Sequence, residues 1–214
     1  MLEIKNGRLE REGNTLFSHL SFVAKEGEVL CVAGPHGSGK SSLLQAFMGF
    51  IPLTEGYLNV DGDLIDDKSA PYFRKEMGFL PQEVEMPYST VADMMNTLFE
   101  LKRDKTSQEM RDSLMALWEE MGIAAEEFDK KLSEMNISER RLILLSGISV
   151  LQRPIVLLDE PSMWLDEEQL LKAGVCIRQM ARNGCAILIT CQEHDAVLRY
   201  CDKLVELNSH SYHS

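Results

Sequence analysis

Short apolar runs separated by turns dominate the first third of the chain. Residues 16–23, 28–33 and 57–60 are such runs, and the last of them precedes Asp61-Gly62, a dipeptide typical of hairpin turns. From residue 38 to residue 51, apolar positions change to helical spacing directly after a glycine-rich loop. The pattern predicts a β-rich start in which a strand, a glycine loop and a helix follow one another.

The middle third predicts an amphipathic helix. Thr106 and Glu109 form a capping-box pattern, and apolar residues then recur every three or four positions through Met121 until Gly122 ends the pattern. Eight of the 12 methionines lie between residues 77 and 135. Methionine suits adaptable partner surfaces but is more often an ordinary core residue, so both interpretations stay open here.

The last third alternates strands with a helix. Residues 155–158 form a continuous apolar run, as expected for a strand buried on both faces, and two further apolar strands are predicted at 185–190 and 203–207. A capped helix pattern over 166–182 separates the first two. This spacing predicts a parallel sheet covered by helices, and residues 209–214 are expected to form a frayed tail.

Composition narrows the function classes. The 214 residues predict one domain, and 44% hydrophobic with 26% charged residues is ordinary for a globular protein. The 34 acidic residues outnumber the 22 basic ones, giving a formal charge of −12, and the basic residues are scattered in pairs such as Lys130-Lys131. Binding to a phosphate backbone needs clustered positive charge, so no nucleic-acid partner is expected.

The cysteines and the hydropathy pattern favour an intracellular protein. The five cysteines are odd in number and show no CxxC spacing, and charged residues interrupt the first 20 positions. The longest nearly apolar stretch, 142–151, is half the ~20 residues that a membrane span needs. We therefore expect reduced thiols, a cytoplasmic location and a membrane role only through a partner.

A phosphate-binding pattern follows the second apolar run. Residues 34–41 match G-x-x-x-x-G-K-[ST], in which glycines let backbone N–H groups turn toward phosphate oxygens at a helix N-terminus. Lys40 then reaches the β- and γ-phosphates, and the Ser41 hydroxyl is available to Mg²⁺. The predicted nucleotide-binding residues of this segment are Gly34, Pro35, His36, Gly37, Ser38, Gly39, Lys40, Ser41 and Ser42.

An acidic pair ends the apolar run at 155–158. This strand delivers Asp159 to the Mg²⁺ site, and the adjacent Glu160 can polarise a water molecule in line with the γ-phosphate. A hydrophobic strand that ends in acids is common in parallel sheets. The acidic pair alone is therefore weak evidence for a nucleotide site, and it becomes stronger evidence in combination with the phosphate loop.

The order of these motifs resembles the ATP-binding cassette (ABC) ATPases over essentially the whole chain. Gln82 follows an apolar strand at 77–80, a helical insertion comes next, and Asp159-Glu160-Pro161 leads into residues 162–166. The resemblance implies an α/β P-loop NTPase (RecA-like) fold. Its parts would be a parallel sheet core, an N-terminal antiparallel β subdomain and a helical insertion subdomain.

The resemblance also implies boundaries, partners and a location. Residues 1–214 would form one ATP-binding domain, with the core at 1–83 and 141–208 and the helical subdomain at about 84–140. ATP and Mg²⁺ would be the cofactors. An integral-membrane permease and a second cassette, identical or different, would be the partners, and the protein would lie peripherally on the cytoplasmic face of the membrane.

Several site roles come from the resemblance alone. Gln82 is implied as the Q-loop glutamine, which contacts Mg²⁺ or the attacking water and senses the permease; a simple strand-ending turn is the alternative. Residues 162–166 are similar to the D-loop, whose Asp166 faces the second cassette of a head-to-tail dimer. Arg11 stands where an aromatic residue normally stacks on adenine, and either stacking or a solvated loop position suits an arginine.

The family's LSGGQ element, which contacts the γ-phosphate of the opposite subunit, departs from the pattern here. Counting back from Asp159 places it at 135–139, where both glycines are replaced and Ile137 stands where backbone should approach phosphate. Residues 132–134 are an alternative placement three residues earlier. The polar side chains expected to face the partner's nucleotide are Asn136, Ser138, Glu139 and Asp166.

The switch histidine is also replaced. Spacing from Asp202 puts Cys191, Gln192 and Glu193 in the family's Ser/Thr-His-Asp positions. Gln192 can donate a hydrogen bond to the γ-phosphate but cannot carry charge or shuttle a proton, while His194 is interpreted as a surface residue.

Two functions fit these departures. The first is an ATPase subunit that powers a permease, with slow turnover if both composite sites of a homodimer contain the altered element. The second is a nucleotide-dependent clamp or scaffold on a membrane complex, with little turnover. A DNA-repair ATPase is disfavoured by the charge and by an insertion of only about 55 residues, too short for a coiled-coil arm.

Overall fold

The computed structural model describes residues 1–83, 87–102 and 104–207, and the tail predicted at 209–214 lies outside them. Nine strands and six α-helices form the described chain, together with short 3₁₀ segments. In chain order the elements are β1 (Leu2–Arg11), β2 (Asn14–Ala24), β3 (Val29–Ala33), α1 (Lys40–Phe47), β4 (Glu55–Val60), β5 (Asp63–Leu64), α2 (Ala70–Phe73), β6 (Met77–Leu80), α3 (Val91–Phe99), α4 (Ser107–Met121), α5 (Ile137–Val150), β7 (Ile155–Asp159), α6 (Glu167–Arg182), β8 (Ala186–Cys191) and β9 (Lys203–Glu206).

Two sheets organise the molecule. A four-stranded antiparallel sheet has the order β2-β1-β4-β5, and a five-stranded sheet has the order β6-β7-β8-β3-β9 with parallel pairing throughout. The hairpin predicted at Asp61-Gly62 joins β4 to β5, and both residues have positive φ, as tight hairpin turns require. The predicted α/β fold with an antiparallel subdomain and a helical insertion is confirmed.

The parallel sheet is the centre of the core. Every residue of β3, β7 and β8 is buried, which explains the continuous apolar runs in the sequence. The strand ends differ slightly from the prediction, because β8 begins at Ala186 and includes Cys191, and α1 is shorter than the 38–51 pattern. Parallel strands place the loops that follow β3, β6, β7 and β8 along one edge of the sheet.

The helical insertion packs on α5. Helix α4 has the predicted capping box at Thr106 and Glu109, and Gly122 follows it in a left-handed conformation. Buried Trp118 of α4 donates its Nε1–H to Ser146 Oγ of α5 at 2.8 Å. Core packing, the more common role for methionine, accounts for six of the eight in this region: Met77, Met94, Met95, Met110, Met121 and Met135 are buried.

Helix α5 runs from Ile137 to Val150 and so crosses the boundary predicted between residues 140 and 141. It therefore contains residues assigned to both predicted subdomains, and the division of the chain into subdomains stays a prediction. In the described ranges, no helix is long and apolar enough to cross a membrane.

Candidate nucleotide site

The phosphate-loop pattern lies between β3 and α1, as its chemistry requires. Gly37 and Gly39 have φ values of 81° and 92°, a left-handed backbone that glycine adopts without strain. A Cβ on Gly39 would lie 2.8 Å from Leu16 Cβ, so the loop also needs the small residue for space. Within the described chain, no side chain caps α1 and its first turn holds no acid. Its free N–H groups therefore suit an anion.

Lys40 and Glu160 meet at the bottom of this loop. Lys40 Nζ donates hydrogen bonds to the carbonyls of Gly34 at 2.8 Å and Pro35 at 2.9 Å, and it lies 3.5 Å from Glu160 Oε1. Both charged side chains are buried. The hydroxyl of Ser38 is also buried but has no hydrogen-bond partner in the described chain, although buried polar atoms normally have one. This unpaired hydroxyl fits a loop that binds phosphate oxygens.

The acidic pair is fixed from the neighbouring strand. Thr190 Oγ1 donates to Asp159 Oδ1 at 2.5 Å, and the Glu160 N–H donates to the carbonyl oxygen of Thr190 at 3.1 Å. Glu160 has φ 46°, a left-handed conformation that is uncommon for a side chain of this size and often marks a functional site. Thr190 is not among the site residues predicted from the sequence. No local sequence pattern identifies it, because its position opposite Asp159 follows only from the pairing of β7 with β8.

A cleft of about 270 Å³ collects most of the predicted nucleotide-binding residues. Arg11, exposed at the end of β1, lies at this cleft together with Gln82. Exposed Gln192 is not among the described residues that line it, and His194 is also exposed. The role of Gln192 stays a prediction. The lining residues are Arg11, Leu16, His36, Gly37, Gly39, Lys40, Ser41, Ser42, Gln82 and Glu160.

The three predicted Mg²⁺ contacts share an adjoining cleft. Ser41, Gln82 and Asp159 line a space of about 510 Å³, and the first two of them also line the nucleotide cleft. Their hydroxyl, amide and carboxylate oxygens are the hard ligands that Mg²⁺ prefers, and Mg²⁺ usually takes only one or two carboxylates plus substrate phosphates and water. The described residues form no group of three or more His, Cys, Asp or Glu suited to a metal.

Gln82 is held by two neighbours. Its side-chain Nε2 lies 3.4 Å from Met163 Sδ, which links it to the 162–166 segment. Its backbone carbonyl accepts a hydrogen bond from Arg141, a buried residue of α5 that also donates to the carbonyls of Pro81, Asp159 and Glu160. Arg141 is not among the site residues predicted from the sequence. A charge just before the apolar run 142–145 was the available signal.

The segment predicted as a D-loop has an exposed tip. Trp164 has φ 73° and is 58% exposed, while Ser162 Oγ donates to Asp195 Oδ2 at 2.7 Å. Asp166 caps α6, because its Oδ1 accepts the Gln169 N–H at 2.8 Å. This cap gives Asp166 a structural role, and its contact with a second cassette stays a prediction.

Residues 135–139 form the N-terminus of α5. Asn136 Oδ1 accepts the Glu139 N–H at 2.9 Å and the Ser138 hydroxyl at 2.7 Å, and the Glu139 carboxylate accepts the Asn136 N–H at 2.8 Å. Ile137 is 54% exposed. The alternative segment, Leu132–Glu134, is a 3₁₀ turn and begins no α-helix.

Comparisons with known proteins agree with this geometry. The sequence profile described as ABC transporter matches residues 17–163. The ribose import ATP-binding protein RbsA of Oceanobacillus iheyensis is 23% identical over 89% of this chain, which spans only 39% of that relative's length. The hemin import ATP-binding protein HmuV of Streptomyces coelicolor is 28% identical over 94% of this chain and 72% of its own length.

A solved structure shares the fold. The dimeric structure of a bacterial ABC transporter cassette has a TM-score of 0.81 and 21% identity, and the match covers 97% of this chain and 94% of that one. The family profile covers more than half of the chain and ends just beyond the acidic pair at Asp159 and Glu160. The chain therefore belongs to the ATP-binding proteins of the ABC transporter family.

Proposed function

We propose that this chain binds and hydrolyses ATP with Mg²⁺ and thereby drives an integral-membrane permease from the cytoplasmic face of the membrane. The observation that carries the proposal is the uncapped start of α1, where buried Lys40 lies 3.5 Å from buried Glu160. A triphosphate would replace the missing cap, and its negative charge would be compensated by Lys40 and the helix dipole.

The residues of the site suit phosphoryl transfer to water. Ser41, Gln82 and Asp159 would hold Mg²⁺, which when bound neutralises charge on the phosphate oxygens. Glu160 would accept a proton from the attacking water as the new O–P bond forms and the bond to the β-phosphate oxygen breaks, leaving ADP and phosphate. Thr190 supports this role, because it fixes the Asp159 side chain and the Glu160 backbone.

A groove beside Gln82 is the proposed docking site for the permease. Phe50 also lines the space of about 510 Å³ that Ser41 and Gln82 line, and it is 61% exposed. The Arg74 guanidinium carbon lies 4.9 Å from the centroid of the Phe50 ring. A large exposed aromatic next to a cleft suits a protein partner. Because Gln82 lines both this groove and the nucleotide cleft, movement of a docked helix would reach the site directly.

The second cassette is proposed to be a different protein. The N-terminus of α5 would contact the γ-phosphate bound by the second cassette. Its N–H groups are capped by the side chains of Asn136 and Glu139, and Glu139 adds a negative charge there. A homodimer would have this altered element at both sites and would turn over slowly. A partner with an intact element would leave the site containing Glu160 of this chain fully assembled.

A clamp with little turnover is the second candidate. It is favoured by the same closed helix start and by Gln192, which is exposed after β8 and is not among the described residues that line the nucleotide cleft. In this function ATP binding would hold a membrane complex together. No role with nucleic acid is proposed, in agreement with the charge of −12.

Nucleotide titration and turnover separate these functions. We expect Lys40→Ala to abolish measurable ATP binding by calorimetry, because it removes the cation that meets the phosphates. Glu160→Gln should keep ATP affinity and lower turnover by ~10²–10⁴, the usual contribution of a positioned general base. Brisk turnover that Glu160→Gln abolishes supports the motor, whereas ATP-dependent dimerisation with negligible turnover supports the clamp. Unchanged ATP affinity of Lys40→Ala contradicts both.

A further inference from the structure

A buried arginine connects two strand ends beneath the nucleotide site. Arg141 lies in the first turns of α5 and is 2% exposed. Its Nη1 donates to the carbonyls of Pro81, at 2.9 Å, and Gln82, and its Nη2 donates to those of Glu160 at 3.1 Å and Asp159 at 3.3 Å. One guanidinium thus holds the backbone after β6 and the backbone after β7.

The geometry needs an arginine in particular. A guanidinium is planar and keeps its donors in a fixed fork, so its two terminal nitrogens can each hold a separate segment at a set distance. A lysine carries its three donors on a single nitrogen at the end of a flexible stem, so it cannot hold two separate segments at a fixed spacing as two terminal nitrogens do. The backbone groups held in this way carry Gln82 and Glu160, which are proposed to act on the nucleotide.

Nearby acids balance the charge of Arg141, although its guanidinium donates to no carboxylate within the described residues. Burial lowers the pKa of Arg141 from its ordinary value, and the carboxylates of Asp159 and Glu160 partly offset this effect. Arg141 and Lys40 together match the two acids. Burying such a group is costly, and buried ionic groups are kept in some proteins because they specify one arrangement.

We propose that Arg141 is a positioning residue that sets the separation of Gln82 and Glu160 and links both to the start of α5. This inference rests on the proposed function. Asn136, which caps α5, precedes Arg141 by little more than one helical turn. Displacement of this helix start by a second cassette would therefore shift the backbone of both active-site segments together.

The test uses Arg141→Met and a matched control, Arg153→Met. Arg153 also donates to a backbone carbonyl, that of Leu101 at 2.8 Å, but it does so far from the site. We expect Arg141→Met to lower kcat for ATP hydrolysis about 10- to 100-fold while the Kd for ATP changes less than about threefold, because misplacement of reacting groups by ~1 Å costs up to ~10² in rate. Arg153→Met should leave both values unchanged.

Two further variants separate positioning from folding. Arg141→Lys keeps the charge without the fork, so we expect it to recover less than about a tenth of the lost rate. In a Gln82→Ala background, Arg141→Met should cost clearly less than in the wild-type background, because the Gln82 side chain is already absent and only the placement of Glu160 can still be lost. Equal losses in both backgrounds, or a loss of ATP affinity as large as the loss of kcat, would show a merely structural role and overturn the proposal.

Hydrogen exchange supplies a readout that needs no turnover. The Glu160 N–H donates to Thr190, so its exchange reports local opening of the segment after β7. With ATP bound, Arg141→Met should speed exchange of the Glu160 amide at least tenfold and leave β3 amides unchanged; no change at the Glu160 amide refutes the inference. Failure of the wild-type chain to bind ATP would instead refute the proposed function, so the two failures are distinguishable.

Discussion

Helices α1 and α5 both begin where a phosphate group is expected, but their first turns are built in opposite ways. Helix α1 follows Gly39, has no capping side chain in the described chain and holds no acid in its first turn. Helix α5 follows Asn136, has both hydrogen bonds of a capping box and carries Glu139 in its first turn. One N-terminus leaves its N–H groups for a ligand, and the other satisfies them internally.

The other long helices show which of the two is unusual. Helices α3, α4 and α6 also begin with complete capping boxes, so α5 is capped like the structural helices of this chain. Among the described helices of eight or more residues, α1 alone is left open. The comparison supports the proposals that the chain binds a nucleotide at α1 and that its α5 is poorly suited to contact a nucleotide bound by a partner.

The largest expected effect comes from giving α1 the acid that α5 has. Ser42 is at the third position of α1, the position of Glu139 in α5. Ser42→Glu should raise the Kd for ATP by two orders of magnitude or more, since two like charges ~4 Å apart at a protein surface repel by ~4 kcal/mol. Calorimetry measures the Kd, and Ser42→Gln, of equal length and no charge, should lose at least tenfold less affinity than Ser42→Glu because it adds no repulsion. Equal affinity of both variants would contradict the comparison.

The reverse change should open α5. Ile137→Gly with Ser138→Gly and Glu139→Gln removes the exposed apolar side chain, the Cβ atoms and the negative charge at the start of the helix. We expect ATP-dependent self-association and turnover of the purified chain to rise about tenfold, because phosphate can then approach the helix backbone closely and the Glu139 charge no longer opposes the helix dipole. Sedimentation and phosphate release measure these effects. No gain in either would show that another feature, such as exposed Gln192, limits the homodimer.

Local patterns in the sequence were sufficient for much of the fold. The capping box at Thr106 and Glu109, the hairpin at Asp61-Gly62 and the buried strands needed only neighbouring residues, and the structure confirms them. The phosphate loop was equally visible because its chemistry lies in one contiguous stretch. Boundaries such as the end of α1 at Phe47 were less accurate, because loop residues after the helix are also apolar.

The non-local part of the site could not be predicted in the same way. Thr190 contacts Asp159 only because β7 and β8 pair in one register, and the two residues are 31 positions apart. Arg141 contacts Gln82 across 59 positions, and its burial depends on packing that no local pattern encodes. Thr190 contacts the side chain of Asp159, and Arg141 contacts backbone carbonyls. The residue types alone therefore give little indication of either contact.

The smallest expected effect concerns α4, which has the capping chemistry of α5 at a distance from the nucleotide. The Thr106 N–H holds the pKa of Glu109 below its ordinary value of 4.5. A lowered folded pKa stabilises the protein above the unfolded pKa, and this stabilisation is lost as pH falls through the folded pKa. Glu109→Gln should therefore lower the urea midpoint slightly near pH ~7 and match wild type near pH ~3, with unchanged ATP affinity. If the urea midpoints of Glu109→Gln and wild type still differ near pH ~3, the carboxylate charge of this capping box is not the source of the difference in stability.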